Sequence, residues 1–244
     1  MQIIRLESVD STNNYTRAHV EELPAESVVV AESQTEGRGQ GSNHWHSTAG
    51  KNLTFSVLLK PKGVRANRQF VYSKAIALAV ADALDDYCEG ISVKWPNDVY
   101  QGDRKISGTL IECGITGESL RYVVIGTGVN INETSFPEDI PNPVSLCQIV
   151  GKEVDCEEVL QKILDNLEGY AAMISDQSDD FIGNYYWLRL YRNVGFHSYR
   201  DSSGDFLAEV AGIESDGRML LRLEDGSTRS YGFKEVEFKP RGSS

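Results

Sequence analysis

The chain is short of positive charge, of cysteine and of long apolar runs, and each shortage removes a class of function. Lysine and arginine total 24 against 36 aspartates and glutamates in 244 residues, a formal net charge of -12. Gripping phosphate backbones calls for a basic face. No basic stripe occurs, so DNA is not an expected partner. No apolar run is long enough to cross a bilayer, so no membrane partner is expected. The N-terminal MQIIRLESVDSTNN turns polar too soon to hold the apolar core of a signal peptide. The four cysteines, Cys88, Cys113, Cys147 and Cys156, have neither metal nor redox spacing. They read as incidental thiols of a reduced, cytoplasmic protein. His44 and His46 have no acidic or thiol neighbour on their loop, which makes a poor metal site, and no protein-ligated metal is expected. The final PRGSS reads as a cleavage or tag remnant.

What is present is an ordinary globular composition, 40% hydrophobic and 25% charged. The start, IIRLESVDSTNNYTRAHVEEL, reads as a strand leading into a helix, with Ser11 or Asp10 as the N-cap. SVVVAESQ has the β-branched run of a buried strand, and LTFSVLLK reads as a strand with period-two alternation. RQFVYSKAIALAVADALDDYC carries apolar residues at helical spacing without internal Gly or Pro. ISVKWPN, KISGTLIECG and RYVVIGTGVNIN are three further strand candidates. EEVLQKILDNLEGYAAMI is a second helix with acids in its first turn, where the helix dipole favours them. Beyond Tyr186 come short strands separated by polar turns: VGFHSYRD, FLAEVAGIES, MLLRLED and STRSYGFKEVEF. They form a small all-β module. The expected class is α+β, a mixed sheet covered by helices. No glycine fingerprint opens a helix, which argues against a dinucleotide fold.

Three segments carry chemistry. In EGRGQGSNHW, Gly37, Gly39 and Gly41 let backbone amides approach a ligand, and Arg38 supplies a planar cation suited to carboxylate or phosphate. A flexible surface loop would look the same, and no Gly-Lys-Ser/Thr follows. Trp45 is either buried under the sheet or placed to cover a ligand. In KWPNDVYQGDRKISG, Pro96 biases Trp95 toward an extended conformation. Asn97 and Asp98 then bring an amide and a carboxylate to a strand edge, and Lys105 starts the returning strand. A lysine held there can stabilise charge growing on a phosphate or carboxylate; the alternative is a solvated edge lysine. In IGTGVNIN, Gly126 and Gly128 mark a close approach by a ligand or a backbone, and Asn130 ends the strand.

The pieces DSTNN, ESQTEGRGQGSNHW, KNLTFSVLL, VKWPNDVYQGDRKISGTLIE and VIGTGVNIN, in that order, resemble the biotin protein ligase family. The resemblance is strong from Val9 to Asn132 and weaker beyond. It implies a class II synthetase-like catalytic domain of the biotin-lipoate ligase type over 1–189, and a small SH3-like β-barrel over 190–244. It implies an ATP-dependent enzyme that uses Mg2+, forms biotinyl-5'-adenylate and passes biotin to a lysine of a carrier. That partner would be the biotin carboxyl carrier domain of acetyl-CoA carboxylase or a related biotin enzyme.

By the same resemblance Lys105 and Arg38 are catalytic. Ser11, Thr12 and Gln34 hydrogen-bond the ureido group of biotin, and Asn13 belongs to the same biotin site. Arg38, Gly39, Gln40, Lys105, Gly108, Gly126 and Gly128 complete the biotin site. Arg38, Trp45, Asn97, Asp98, Lys105 and Asn130 face the nucleotide. The sequence departs from the family at Gln40, where arginine is usual, at Ser42, where the later glycine falls one place early, and at Asn43, a frequent basic position. The helix-turn-helix of bifunctional members is not expected here, nor is repression. Family members occur as monomers and dimers, so a homodimer stays open. A lipoate-type ligase and a module that holds biotin without transferring it are the alternatives. Gln34 and the Ser-Thr-Asn triplet favour the ureido ligand, and Lys105 argues for transfer.

Overall fold

The computed structural model describes residues 1–41, 43–174 and 180–239, so Ser42 and the PRGSS tail at 240–244 lie outside the described residues. A seven-stranded sheet forms from β1 (Gln2–Val9), β2 (Ser27–Gln34), β3 (Leu53–Leu59), β4 (Ile91–Lys94), β5 (Asp98–Gln101), β6 (Arg104–Thr116) and β7 (Ser119–Val129). Their order is β1-β2-β3-β7-β6-β5-β4, with β1–β2 parallel and the other ladders antiparallel. This is the mixed sheet the sequence predicts.

The two faces of this sheet have different work. On one, Phe55, Val57, Val123 and Ile125 pack with α2 (Phe70–Asp85) and α4 (Cys156–Met173) in the main hydrophobic cluster. On the other, Leu58 and Val124 join Val20 and Leu23 in a smaller cluster behind α1 (Thr12–Ala18). β3 is therefore buried at all seven positions, not at alternate ones, because both faces are covered. Its polar Thr54 and Ser56 lie on the α1 face, where they are hydrogen-bonded.

α2 and α4 occupy the spans their periodicity predicts. The N-cap of α1 differs from expectation. Ser11 stands at the cap with extended backbone, but its side chain makes no cap hydrogen bond. Asp10 instead accepts from Asn14 Nδ2 at 2.8 Å, which lowers its carboxyl pKa. Three elements escape the sequence reading. β5 falls in a stretch read as turn. α3 (Leu146–Val150) is opened by a Ser145/Gln148 capping box. α5 (Asp180–Arg189) has little amphipathic pattern to betray it.

Asp82 on α2 ties α4 and α5 down. It accepts from Tyr170 Oη at 2.6 Å, Tyr185 Oη at 3.0 Å and Arg189 at 2.7 Å. Burial and this carboxylate push the Tyr170 phenol well above its ordinary range. Asp82→Ala removes the acceptor that the Tyr170 and Tyr185 hydroxyls share, while Arg189 keeps Asp85. The expected loss is about 2 kcal/mol, or roughly 5 °C in Tm, read in a thermal melt.

The C-terminal strands β8 (His197–Asp201), β9 (Gly204–Ile213), β10 (Met219–Leu223), β11 (Thr228–Tyr231) and β12 (Glu237–Phe238) form an antiparallel sheet in the order β11-β10-β9-β8-β12. STRSYGFKEVEF, read as one strand, is split into β11 and β12 on opposite edges. The sheet is an open one rather than a closed barrel among the described residues, since the two-residue β12 pairs only with β8. The segment between β11 and β12 reaches the first sheet. Phe233 packs on Phe70 and Trp95, and Trp95 Nε1 donates to the Gly217 carbonyl at 2.9 Å. No helix among the described residues is long and apolar enough to cross a membrane.

Candidate active site

Antiparallel register builds the floor of one pocket. The pairs Ser56↔Gly126, Thr54↔Gly128 and Gly108↔Gly128 put small side chains, or none, on the α1 face of β3, β7 and β6, with Leu110 opposite Gly126 as the one large side chain among them. A cavity of about 660 Å³ opens above them. The space is already used to its limit. A Cβ at Gly126 would lie 2.0 Å from Asn13 Oδ1, and one at Gly128 would lie 2.1 Å from the Trp45 ring.

α1 supplies one end wall. Thr12 donates to Gln34 Oε1 from its amide at 2.8 Å, with its hydroxyl 3.1 Å from the same oxygen. The Ser56 hydroxyl donates to Asn13 Oδ1 at 2.6 Å and lies 2.8 Å from Thr12 Oγ1. Asn13 Nδ2 donates to the Leu110 carbonyl at 3.2 Å and to Glu112 Oε2 at 3.1 Å. Ser11, Thr12 and Asn13 are all buried. This end is a fixed polar lattice, suited to a compact ligand with donors and acceptors of its own.

The glycine-rich loop folds over the opposite side as a narrow return. Trp45 N donates to Gly37 O at 2.8 Å, and Gly39 N donates to Asn43 O at 2.7 Å. The Trp45 indole therefore lies on the glycine floor, with its Nε1 buried and lacking a hydrogen-bond partner. Of the two positions left open for this tryptophan, the structure has it over the pocket floor. Lys105 Nζ lies 5.9 Å from the centre of that ring.

Two cations enter the cavity. Arg38 donates to Asn14 Oδ1 at 2.9 Å and to Glu112 at 3.2 and 3.3 Å. Lys105 pairs with Asp98 at 2.7 Å. Lys105 is bridged through both backbone groups by the 142–144 segment. Its amide donates to Asn142 O at 2.7 Å, and its carbonyl accepts from Val144 N at 2.9 Å. Asn130 closes the end of β7, donating to Val144 O at 3.2 Å. Gln40 and Asn97 complete the set, so every residue assigned to the site from sequence lines this one cavity.

Lys94, Tyr100, Phe136 and Asp139 line it too and were not singled out in the sequence. Lys94 Nζ donates to Tyr100 Oη at 3.1 Å and lies 4.9 Å from that ring's centre. Burial pulls the Lys94 ammonium below the usual lysine range, against the opposing pull of Asp98. A lysine two residues before a Pro-Asn-Asp turn was the available signal. Phe136 and Asp139 sit in an irregular segment with none.

The sequence profile of the "Biotin/lipoate A/B protein ligase family" matches residues 5–130. The chain belongs to this biotin/lipoate ligase family. It is 29% identical over 220 residues to the "Bifunctional ligase/repressor BirA" of Bacillus spizizenii, a match covering 85% of this chain and 65% of that one. It is 29% identical over 227 residues to the "Biotin--[acetyl-CoA-carboxylase] ligase" of Paracoccus denitrificans, covering 89% and 92%. Among solved structures, the biotin protein ligase of Aquifex aeolicus in complex with biotin and ATP superposes with a TM-score of 0.81 at 28% identity, over 98% of both chains. The chain thus spans about two thirds of the Bacillus relative and nearly all of the Paracoccus and Aquifex ones. The ligase fold accounts for the mixed sheet, the glycine floor and the cation pair together.

Proposed function

We propose that this protein is an ATP-dependent biotin protein ligase. In the first step a biotin carboxylate oxygen attacks the α-phosphorus of ATP. The bond to the β-phosphate breaks, leaving biotinyl-5'-adenylate and pyrophosphate. In the second, the neutral amine of a carrier lysine attacks the acyl carbon. The acyl-phosphate C–O bond breaks, AMP leaves, and the amine gives up its proton.

The observation that carries this reading is the placement of a polar end wall and two cations around one glycine floor. Thr12, Asn13 and Gln34 offer matched donors and acceptors to a ureido ring, and an analogue lacking them leaves those groups unpaired. Arg38 reaches the cavity beside α1, where it contacts Asn14, and Lys105 reaches it beside Asp98 and Trp45, so a junction of carboxylate and phosphate lying between them meets both cations. Fixed cations there stabilise charge as it develops, at no reorganisation cost. Trp45 covers the floor at Gly128 and keeps water from a hydrolysable anhydride. Asn97, Asp98 and Asn130 face the nucleotide. Mg2+ would come with ATP, held chiefly by the phosphates and screening their charge; Asp98 and Asp139 are the carboxylates lining the cavity that would share it. The carrier is a biotin carboxyl carrier domain of acetyl-CoA carboxylase or a related enzyme, as the Paracoccus relative's name suggests.

The test is transfer of labelled biotin to a purified carrier domain with ATP and Mg2+, beside a lipoate control. Biotin-only transfer is the expected result. Lipoate transfer would move the protein to the other branch of its family. Tight biotin binding with no pyrophosphate release would make it a binding module.

A further inference from the structure

Glu112 is a residue the reaction above does not use, yet more of the site converges on it than on any other acid of the pocket face. The register Glu112↔Val124 places it on β6, one step along the same face from the pair Leu110↔Gly126. Four contacts meet there. Asn13 Nδ2 donates to Oε2 at 3.1 Å, Arg17 to Oε1 at 3.0 Å, and Arg38 to both oxygens at 3.3 and 3.2 Å. Its side chain is only 19% exposed, whereas those of Arg17 and Arg38 are 49% and 35% exposed.

Arg17 alone would balance the carboxylate's charge, through one hydrogen bond to Oε1. The second guanidinium comes from the glycine-rich loop, across 74 residues of sequence. The same carboxylate orients Asn13, whose amide packs over Gly126 on the pocket floor. Glu112 therefore joins the floor of the ligand site to the strap above it.

We propose that Glu112 is a positioning residue that ties Arg38 to the sheet and so sets how long the activated intermediate stays in the pocket. The proposal rests on the ligase reading and deepens it. With the carboxylate in place, the loop arginine is held at the cavity edge, and the loop is pinned near its own start. Without its charge, Arg38 keeps only neutral acceptors, Asn14 and one carbonyl oxygen at position 112, and the strap opens more often. Glutamine is nearly the same size as glutamate, so the variant Glu112→Gln removes charge with little change in packing.

The experiment forms labelled biotinyl-adenylate on the intact enzyme with pyrophosphatase present, then follows its loss from the protein after an unlabelled chase. Wild type must first retain the adenylate; if it forms none, the ligase reading fails before the present one is reached. Glu112→Gln is expected to release adenylate about tenfold faster, the factor of one charge-assisted hydrogen bond. Arg17→Ala, which removes the carboxylate's other cation, is expected to leave the lifetime unchanged. In an Arg38→Ala background the Glu112→Gln change is expected to add less than about twofold, since the tie is already gone. An unaltered lifetime in Glu112→Gln overturns the proposal. So does a full tenfold effect in the Arg38→Ala background, which would mean that Glu112 acts only by bracing α1. A drop in Arg17→Ala equal to that in Glu112→Gln overturns it as well.

Discussion

Lys105→Ala is expected to lower the rate of adenylate formation at least a hundredfold while the protein still folds. A fixed donor aimed at developing charge is typically worth ~3 kcal/mol. Lys105 is well placed to supply that much, because the 142–144 segment bonds its backbone on one side and β5 pairs with it at Tyr100 on the other. The fold does not depend on the ammonium. The Lys105–Asp98 pair is about 30% exposed on each side, and exposed pairs contribute little to stability. The measurement is single-turnover pyrophosphate release at saturating biotin and ATP, with a thermal melt as control. A rate within threefold of wild type would remove Lys105 from the chemistry. A lost melt would show that Asp98 needs its partner to fold, and Lys105→Arg would then carry the test.

Gly126→Ala is expected to abolish tight biotin binding. The added Cβ would sit 2.0 Å from Asn13 Oδ1 and 2.6 Å from its Cγ. Asn13 cannot step aside, because Ser56, the Leu110 carbonyl and Glu112 all hold its side chain. Either those bonds break or α1 lifts from the sheet. Overpacking of this kind costs about 1–3 kcal/mol, and it falls on the wall that reads the ligand. The expected outcome is a rise in the biotin Kd of about a hundredfold, with Tm down by several degrees. Calorimetric titration at wild-type affinity would show that the floor has room which the register denies it.

The sequence made much of this legible for identifiable reasons. Elements with a strong period, α2 and α4, occupy the spans expected. The residues that line the cavity were readable because their types are uncommon where they stand: glycines at 126 and 128 in a strand, a lysine just after a turn, a Ser-Thr-Asn run opening a helix. Where these lie relative to each other was not readable, since the pocket joins segments more than a hundred residues apart. The alternation read into β3 fails because α1 covers the face that a two-layer protein would leave to water. α5 is set by Asp82 and its tyrosine and arginine partners, a tertiary hub with no local pattern. Glu112 was passed over for a similar reason. One glutamate in a strand is ordinary until its three partners are brought to it.

The contact from Lys234 Nζ to the Gln40 carbonyl, at 3.1 Å, joins residues 194 positions apart. It is a second tie, beside the packing of Phe233 on Trp95, between the C-terminal strands and the first part of the chain, and its consequence is kinetic. Closing so long a stretch of chain costs entropy that only prior long-range pairing repays. The rim of the pocket is thus among the last parts of the molecule to form. A refolding chain regains helix and sheet first and its ligand affinity afterwards, so the two signals separate in time.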